Sequence, residues 1–81
     1  MHEEDIMDVK IEKQIGQNIK RLREKANMTQ EQLAAKLQVC GCDITRSAVA
    51  KIEVGQRHIY ADEIIVLKSI FKVSFDDILS I

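Results

Sequence analysis

The chain has 81 residues, 31% of them charged with a formal net charge of −1, only 4% aromatic, three glycines and no proline. A chain this short builds one small domain. Its core must come from Ile, Leu, Val and Ala, and the scarcity of turn residues excludes sandwiches and hairpin-rich folds in favour of long helices.

No stretch resembles a signal peptide, and no apolar run approaches the length of a membrane span. A cytoplasmic protein with both cysteines reduced is therefore expected. The charge is unevenly spread. Residues 1–12 carry one Lys against five acids, residues 13–57 carry nine Lys or Arg against four acids, and residues 58–81 carry two Lys against four acids. The middle of the chain is thus cationic, and a local positive face, not the total charge, governs attraction to phosphate.

Residues 1–10 are acidic and lack a clear apolar period, which predicts a flexible tail ahead of a domain over residues 11–81. A partner-binding arm is the functional alternative for that tail. The first predicted helix runs from Ile11 to Ala26, with Ile11, Ile15, Ile19 and Leu22 on one stripe. Lys13, Lys20, Arg21 and Lys25 fall mostly off the stripe, and Asn27 is suited to end the helix in the left-handed conformation.

Thr29 and Gln32 form a capping box for a second helix reaching Val39, with Met28 and Leu33 as its hydrophobic staple. Leu33, Ala34 and Leu37 make the buried edge of that helix. Gln30 at its first turn is expected to point outward, where a helix N-terminus favours a phosphate. The segment Cys40-Gly41-Cys42-Asp43-Ile44 reads as a turn, with Ile44 plugging the core. Two thiols one residue apart cannot complete a four-ligand zinc site, and His2 and His58 lie far away in sequence, so neither metal nor cofactor is expected.

A third helix over residues 45–55 sorts into two faces. Thr45, Ala48, Val49 and Ile52 share one arc, while Arg46, Ser47, Ala50, Lys51 and Val54 share the other. Gly55 closes it. Gln56, Arg57, His58, Ile59 and Tyr60 follow as a polar loop with donors suited to phosphate oxygens. A fourth helix is predicted over residues 61–71, with Ile64, Leu67, Ile70 and Phe71 inward. A short fifth follows over 74–79, opened by a Ser74–Asp77 capping box.

This order of elements is all-α, and it resembles the phage-repressor (Cro and XRE-type) helix-turn-helix family. The likeness rests on IGQNIKRLREKANMTQEQLAAKL, TRSAVAKIEVGQR and VSFDDIL, which occur in order over residues 14–79. It implies a compact five-helix lambda-repressor-like domain whose second and third helices form the helix-turn-helix. By the same likeness Gln30 contacts phosphate and Arg46, Ser47, Ala50 and Lys51 read bases. Thr45 caps the reading helix, and Arg23 pairs with Glu53 as a structural ion pair. Thr45, Gln56, Arg57 and Tyr60 complete the expected phosphate set. The chain departs from the family pattern in two places: CGCDI lengthens the turn between the second and third helices, and Ile59 and Tyr60 stand where Pro-Ser is common.

The function expected from these features is sequence-specific binding of double-stranded DNA by a transcriptional regulator, a repressor, reading a pseudo-palindromic operator as a homodimer formed in solution or only on the DNA. Ile65, Val66, Ile78 and Ile81 are the candidate dimer surface, with Phe75 and Leu79 expected in the core. A protein-interaction module, or an antitoxin of a toxin–antitoxin pair, is the alternative, but it calls for apolar residues on the outward face of the third helix where this chain has Arg, Ser and Lys. No Ser/His/Asp set, phosphate loop or paired catalytic carboxylates suggest an enzyme.

Overall fold

The computed structural model of the chain describes residues 3–81, with side chains from Lys10 onward; Met1 and His2, part of the expected tail, lie outside the described residues. Five helices follow one another: α1 (Glu3–Lys25), α2 (Gln30–Val39), α3 (Arg46–Glu53), α4 (Ala61–Phe71) and α5 (Phe75–Leu79). No helix among the described residues is long and apolar enough to cross a membrane.

The backbone of α1 is helical from Glu3, eight residues before the start that the apolar stripe predicts. Its far end is set by Asn27, which takes φ 57°, while the Met28 N–H reaches back to the Arg23 carbonyl at 3.1 Å. Thr29 then opens α2 with both halves of its capping box: its hydroxyl accepts from the Gln32 N–H at 3.0 Å and its N–H donates to Gln32 Oε1 at 2.8 Å.

Packing follows the stripes. α1 lies against α3 and α5, α2 against α3 and α4, and α4 against α5. Ile15 and Ile19 of α1, Leu33 and Leu37 of α2, Val49 and Ile52 of α3 and Leu67 of α4 are all buried. Each such aliphatic side chain contributes roughly 1.5–3 kcal/mol on leaving water.

Gly16 is the point of closest approach, since a Cβ built there would stand 2.1 Å from the Ile52 carbonyl oxygen. Only a residue without a side chain lets α1 cross the end of α3 at this distance.

The lengthened turn is folded into the domain. Gly41 takes φ 92°, and the Cys42 N–H donates to the Leu37 carbonyl at 2.9 Å. Gln38 Nε2 ties down the Ile44 carbonyl at 2.7 Å. Cys42 and Ile44 are buried, whereas Cys40 is exposed.

The carboxyl-terminal end corrects the expected division between core and surface. Ile78, offered as dimer surface, is completely buried, while Phe75 and Leu79, expected inside, are 43% and 39% exposed. A helix of five residues is too short for its apolar period to fix its phase. What fixes it is Asn18 on α1, itself buried, whose Nδ2 donates to the carbonyls of Ile78 at 2.8 Å and Ser80 at 2.7 Å. Val66 packs partly against the core, so Ile65 is left as the exposed aliphatic of α4.

Candidate nucleic-acid interface

α3 is eight residues long and is held at both ends. The Thr45 hydroxyl accepts the Ala48 N–H at 3.1 Å and so starts the helix. At its far end Gly55, at φ 76°, lets the Gln56 N–H reach the Lys51 carbonyl at 2.8 Å. Val49, Ile52 and Glu53 are buried beneath it. Arg46, Ser47 and Lys51 are exposed, and Ala50, expected on the outward arc, is half-buried at its edge. The outward face is therefore cationic and hydroxylic over about two turns, a length that fits a DNA major groove.

One polar network fixes this helix to the scaffold. Arg23 Nε donates to Glu53 Oε2 at 2.7 Å and its Nη2 to Glu53 Oε1 at 3.1 Å, while Nη1 donates to the Met28 carbonyl at 2.8 Å. The bidentate hydrogen bond to Glu53 raises the Arg23 pKa and keeps the guanidinium charged despite its burial. Gln30 Nε2 adds a third donor to the same carboxylate, at 3.0 Å from Oε1.

Gln30 is thus half-buried rather than pointing freely outward as expected. Its orientation is set by the last residue of α3, which leaves its second amide N–H and its carbonyl oxygen for another partner. Arg23, Glu53 and Gln30 together lock α1, α2 and α3 into one unit.

The loop after α3 departs from expectation at Arg57. Instead of a free cation for phosphate, it is a buttress: its two terminal nitrogens donate to the buried Glu63 carboxylate at 3.0 and 3.1 Å, and Nη1 also donates to the His58 carbonyl at 2.8 Å. The hydrogen bond to Glu63 raises the Arg57 pKa. The cause is Glu63, the third residue of α4, which also accepts the Tyr60 N–H at 2.9 Å and so needs a cation beside it. Gln56 and Tyr60 remain exposed. The Arg57 guanidinium lies 5.5 Å from the centre of the Tyr60 ring, a cation–π distance that restrains the ring. His58 Nδ1 sits 2.7 Å from Glu12 Oε2, pinning the loop to α1.

Several residues with a role in the fold and at this site escaped the sequence reading, among them Gly16, Asn18, Glu63, Glu12 and Gln38. A glycine inside a helical pattern does mark a close approach of backbone, so Gly16 carried a usable signal. Asn18 and Glu63 did not, because their partners are fixed only by the tertiary fold. The two cysteines divide: burial pushes the Cys42 thiol up, making it a poor nucleophile and metal ligand, while Cys40 stands at the surface.

Neither the comparison with curated proteins nor that with solved structures gives a match. The family description that does match is that of the helix-turn-helix, HTH_3, over residues 19–78. That span runs from Ile19 in the core stripe of α1 to Ile78 in α5, and encloses the capped α2, the long turn and α3. With most of its length matched and the second and third helices arranged as described, the chain belongs to the HTH_3 family of helix-turn-helix proteins, Cro/C1-type and XRE-like DNA-binding regulators.

Proposed function

We propose that the protein is a sequence-specific transcriptional repressor that lays α3 in the major groove of double-stranded DNA. One observation carries this reading: the polar, cationic face of α3 is exposed while its opposite face and its last carboxylate are locked into the scaffold by Arg23 and Gln30. A reading element of this kind must keep its register, because a bidentate contact tolerates little misplacement.

Arg46 and Lys51 reach guanine O6 and N7 or the flanking phosphates, Ser47 pairs with base edges, and Ala50 leaves room for a thymine methyl. Gln30, Thr45, Gln56 and Tyr60 meet phosphate oxygens and set the register. Arg57 serves indirectly, by shaping the loop that carries Gln56 and Tyr60. Residues 11–81 form the DNA-binding domain and residues 1–10 an acidic extension of it. Bound at a promoter, such a domain represses by occupying sequence that polymerase needs.

The test is selection from random duplexes with the purified protein, followed by titration of the selected site at several salt concentrations. A single enriched sequence is expected, and log K falls linearly with log salt by roughly 0.9 per phosphate contacted. No retardation of any selected duplex at low salt would show that α3 reads something other than DNA.

A further inference from the structure

In the DNA-binding reading the loop after α3 meets phosphate, yet it brings no free cation of its own. The Arg57 fork is engaged by Glu63, and His58 Nδ1 is held by Glu12. Gln56 and Tyr60, which remain exposed, are neutral. The helix ahead of them ends in backbone carbonyls, and a helix carboxyl terminus carries partial negative charge. A phosphate seated on this loop needs a counter-charge from another element.

The amino-terminal half of α1 supplies one. Lys13 lies directly against Gly55, the residue before Gln56: a Cβ built on that glycine would stand 2.9 Å from the Lys13 Cβ and 3.0 Å from its Cα. Lys13 is exposed. The acid next to it in sequence does not neutralise it, because Glu12 turns to His58.

The helix period gives the side on which Lys13 stands. α1 crosses the end of α3 at Gly16. At about 100° per residue, Ile15 and Ile19 lie roughly 60–100° to one side of Gly16, and Lys13 lies roughly 60° to the other. Ile15 and Ile19 are buried, so Lys13 is on the side of the crossing away from the core. The exposed arc of α3, with Arg46, Ser47 and Lys51, is likewise turned away from the buried Val49 and Ile52. Gln56 joins the two, since its N–H donates to the Lys51 carbonyl at 2.8 Å and it follows the glycine that Lys13 covers.

We propose that Lys13 is a phosphate-holding residue of the DNA interface, gripping the strand where it passes the carboxyl-terminal end of α3, with Gln56 donating beside it. The inference rests on the DNA-binding reading and adds to it a cation from a helix outside the helix-turn-helix pair. A lysine acts at such a place as a point charge. It holds the duplex against the end of the reading helix and carries no base preference of its own.

The test compares the full-length chain with Lys13→Gln on the selected duplex and on an unrelated duplex, each titrated over a series of salt concentrations. The slope of log K against log salt should become shallower by roughly 0.9, the share of one phosphate. Affinity should fall several-fold on both duplexes alike, leaving the ratio between them unchanged. Thermal melts should also be unchanged, because glutamine keeps the part of the side chain that lies on Gly55.

Lys25→Gln is the control. Lys25 is exposed beside Phe71 and Val73, about half a turn around α1 from Gly16, and its loss removes the same unit of charge. It should leave the slope at the wild-type value. A wild-type slope in Lys13→Gln would overturn the proposal, as would an equal change in both variants, which would make the effect one of net charge. Failure of the wild-type chain to retard any duplex is a separate result, and it removes the DNA-binding reading itself.

Discussion

Gly16 sets the distance between α1 and the end of α3. At an ordinary helical site, replacing glycine by alanine gains roughly 0.5–1 kcal/mol. Here the added methyl meets backbone oxygen at 2.1 Å, and backbone cannot swing aside as a side chain can. Gly16→Ala should instead cost about 1–3 kcal/mol, the usual range for overpacking; urea denaturation reads it, and a more stable variant would mean that the helices have slack. The Arg23–Glu53 pair makes a second prediction at this scale. With the Glu53 side chain almost wholly buried, Arg23→Met leaves an uncompensated carboxylate and should cost ~3–5 kcal/mol. Combining it with Glu53→Leu should recover much of that loss, because the penalty lies in the orphaned charge. Asp77 links stability to pH: hydrogen bonds from Ser74, first its backbone N–H and then its hydroxyl, lower the Asp77 pKa. With a folded-state pKa below the unfolded value, its contribution is complete above the ordinary carboxylate range and is lost as pH falls through the folded pKa. Asp77→Asn should flatten that part of the melting temperature against pH curve, and unchanged acid sensitivity would assign it to other carboxylates.

At the scale of elements, what could be read in advance depended on whether the signal was local. Thr29 with Gln32 and Ser74 with Asp77 place helix starts within a few residues of their own sequence, and the structure has these boxes where they were expected. The range Ala61–Phe71 for α4 was legible from the spacing of Ile64, Leu67, Ile70 and Phe71, which is likewise local. Asn27 and Gly55 closed their helices in the left-handed conformation as their residue types suggest. The phase of α5 was not legible, because it is set by Asn18, some sixty residues away. Nor was the role of Arg57, which hangs on Glu63: an arginine in a polar loop looks free until the buried carboxylate beside it is seen. The reading of α3 is itself open to test. Arg46→Ala and Lys51→Ala should relax base preference and cost ~1–3 kcal/mol each where the contact is bidentate, whereas Gln30→Ala should weaken all duplexes about equally. Arg57→Ala should act chiefly on stability, since its fork is occupied by Glu63. Loss of affinity in Arg57→Ala at unchanged stability would return that residue to the phosphate set, and a Lys51→Ala protein with unaltered preference would shift the register of α3.

For the whole molecule the question is how a domain of 81 residues singles out one site. One eight-residue helix contacts few base pairs, and each correct pair contributes ~1–3 kcal/mol of discrimination, too little against the competing sites of a genome. Two copies on a two-fold axis double the number of base pairs read and fix the spacing between half-sites at about one turn of DNA, ~34 Å. The surface available for such pairing differs from the one apolar content alone suggested. Ile78 is in the core, and the exposed apolar side chains of α4 and the carboxyl-terminal end are Ile65, Phe75, Leu79 and Ile81. Lys68 Nζ stands 5.2 Å from the centre of the exposed Phe75 ring. The expected outcome is two chains per duplex on the selected site, which itself shows two-fold symmetry. Ile65→Asp with Leu79→Asp should reduce occupancy to a weaker single-chain complex without lowering stability, since neither side chain is in the core. Stoichiometry by light scattering on the protein–DNA complex decides it: one chain per duplex on an asymmetric site would mean that this protein reads DNA as a monomer.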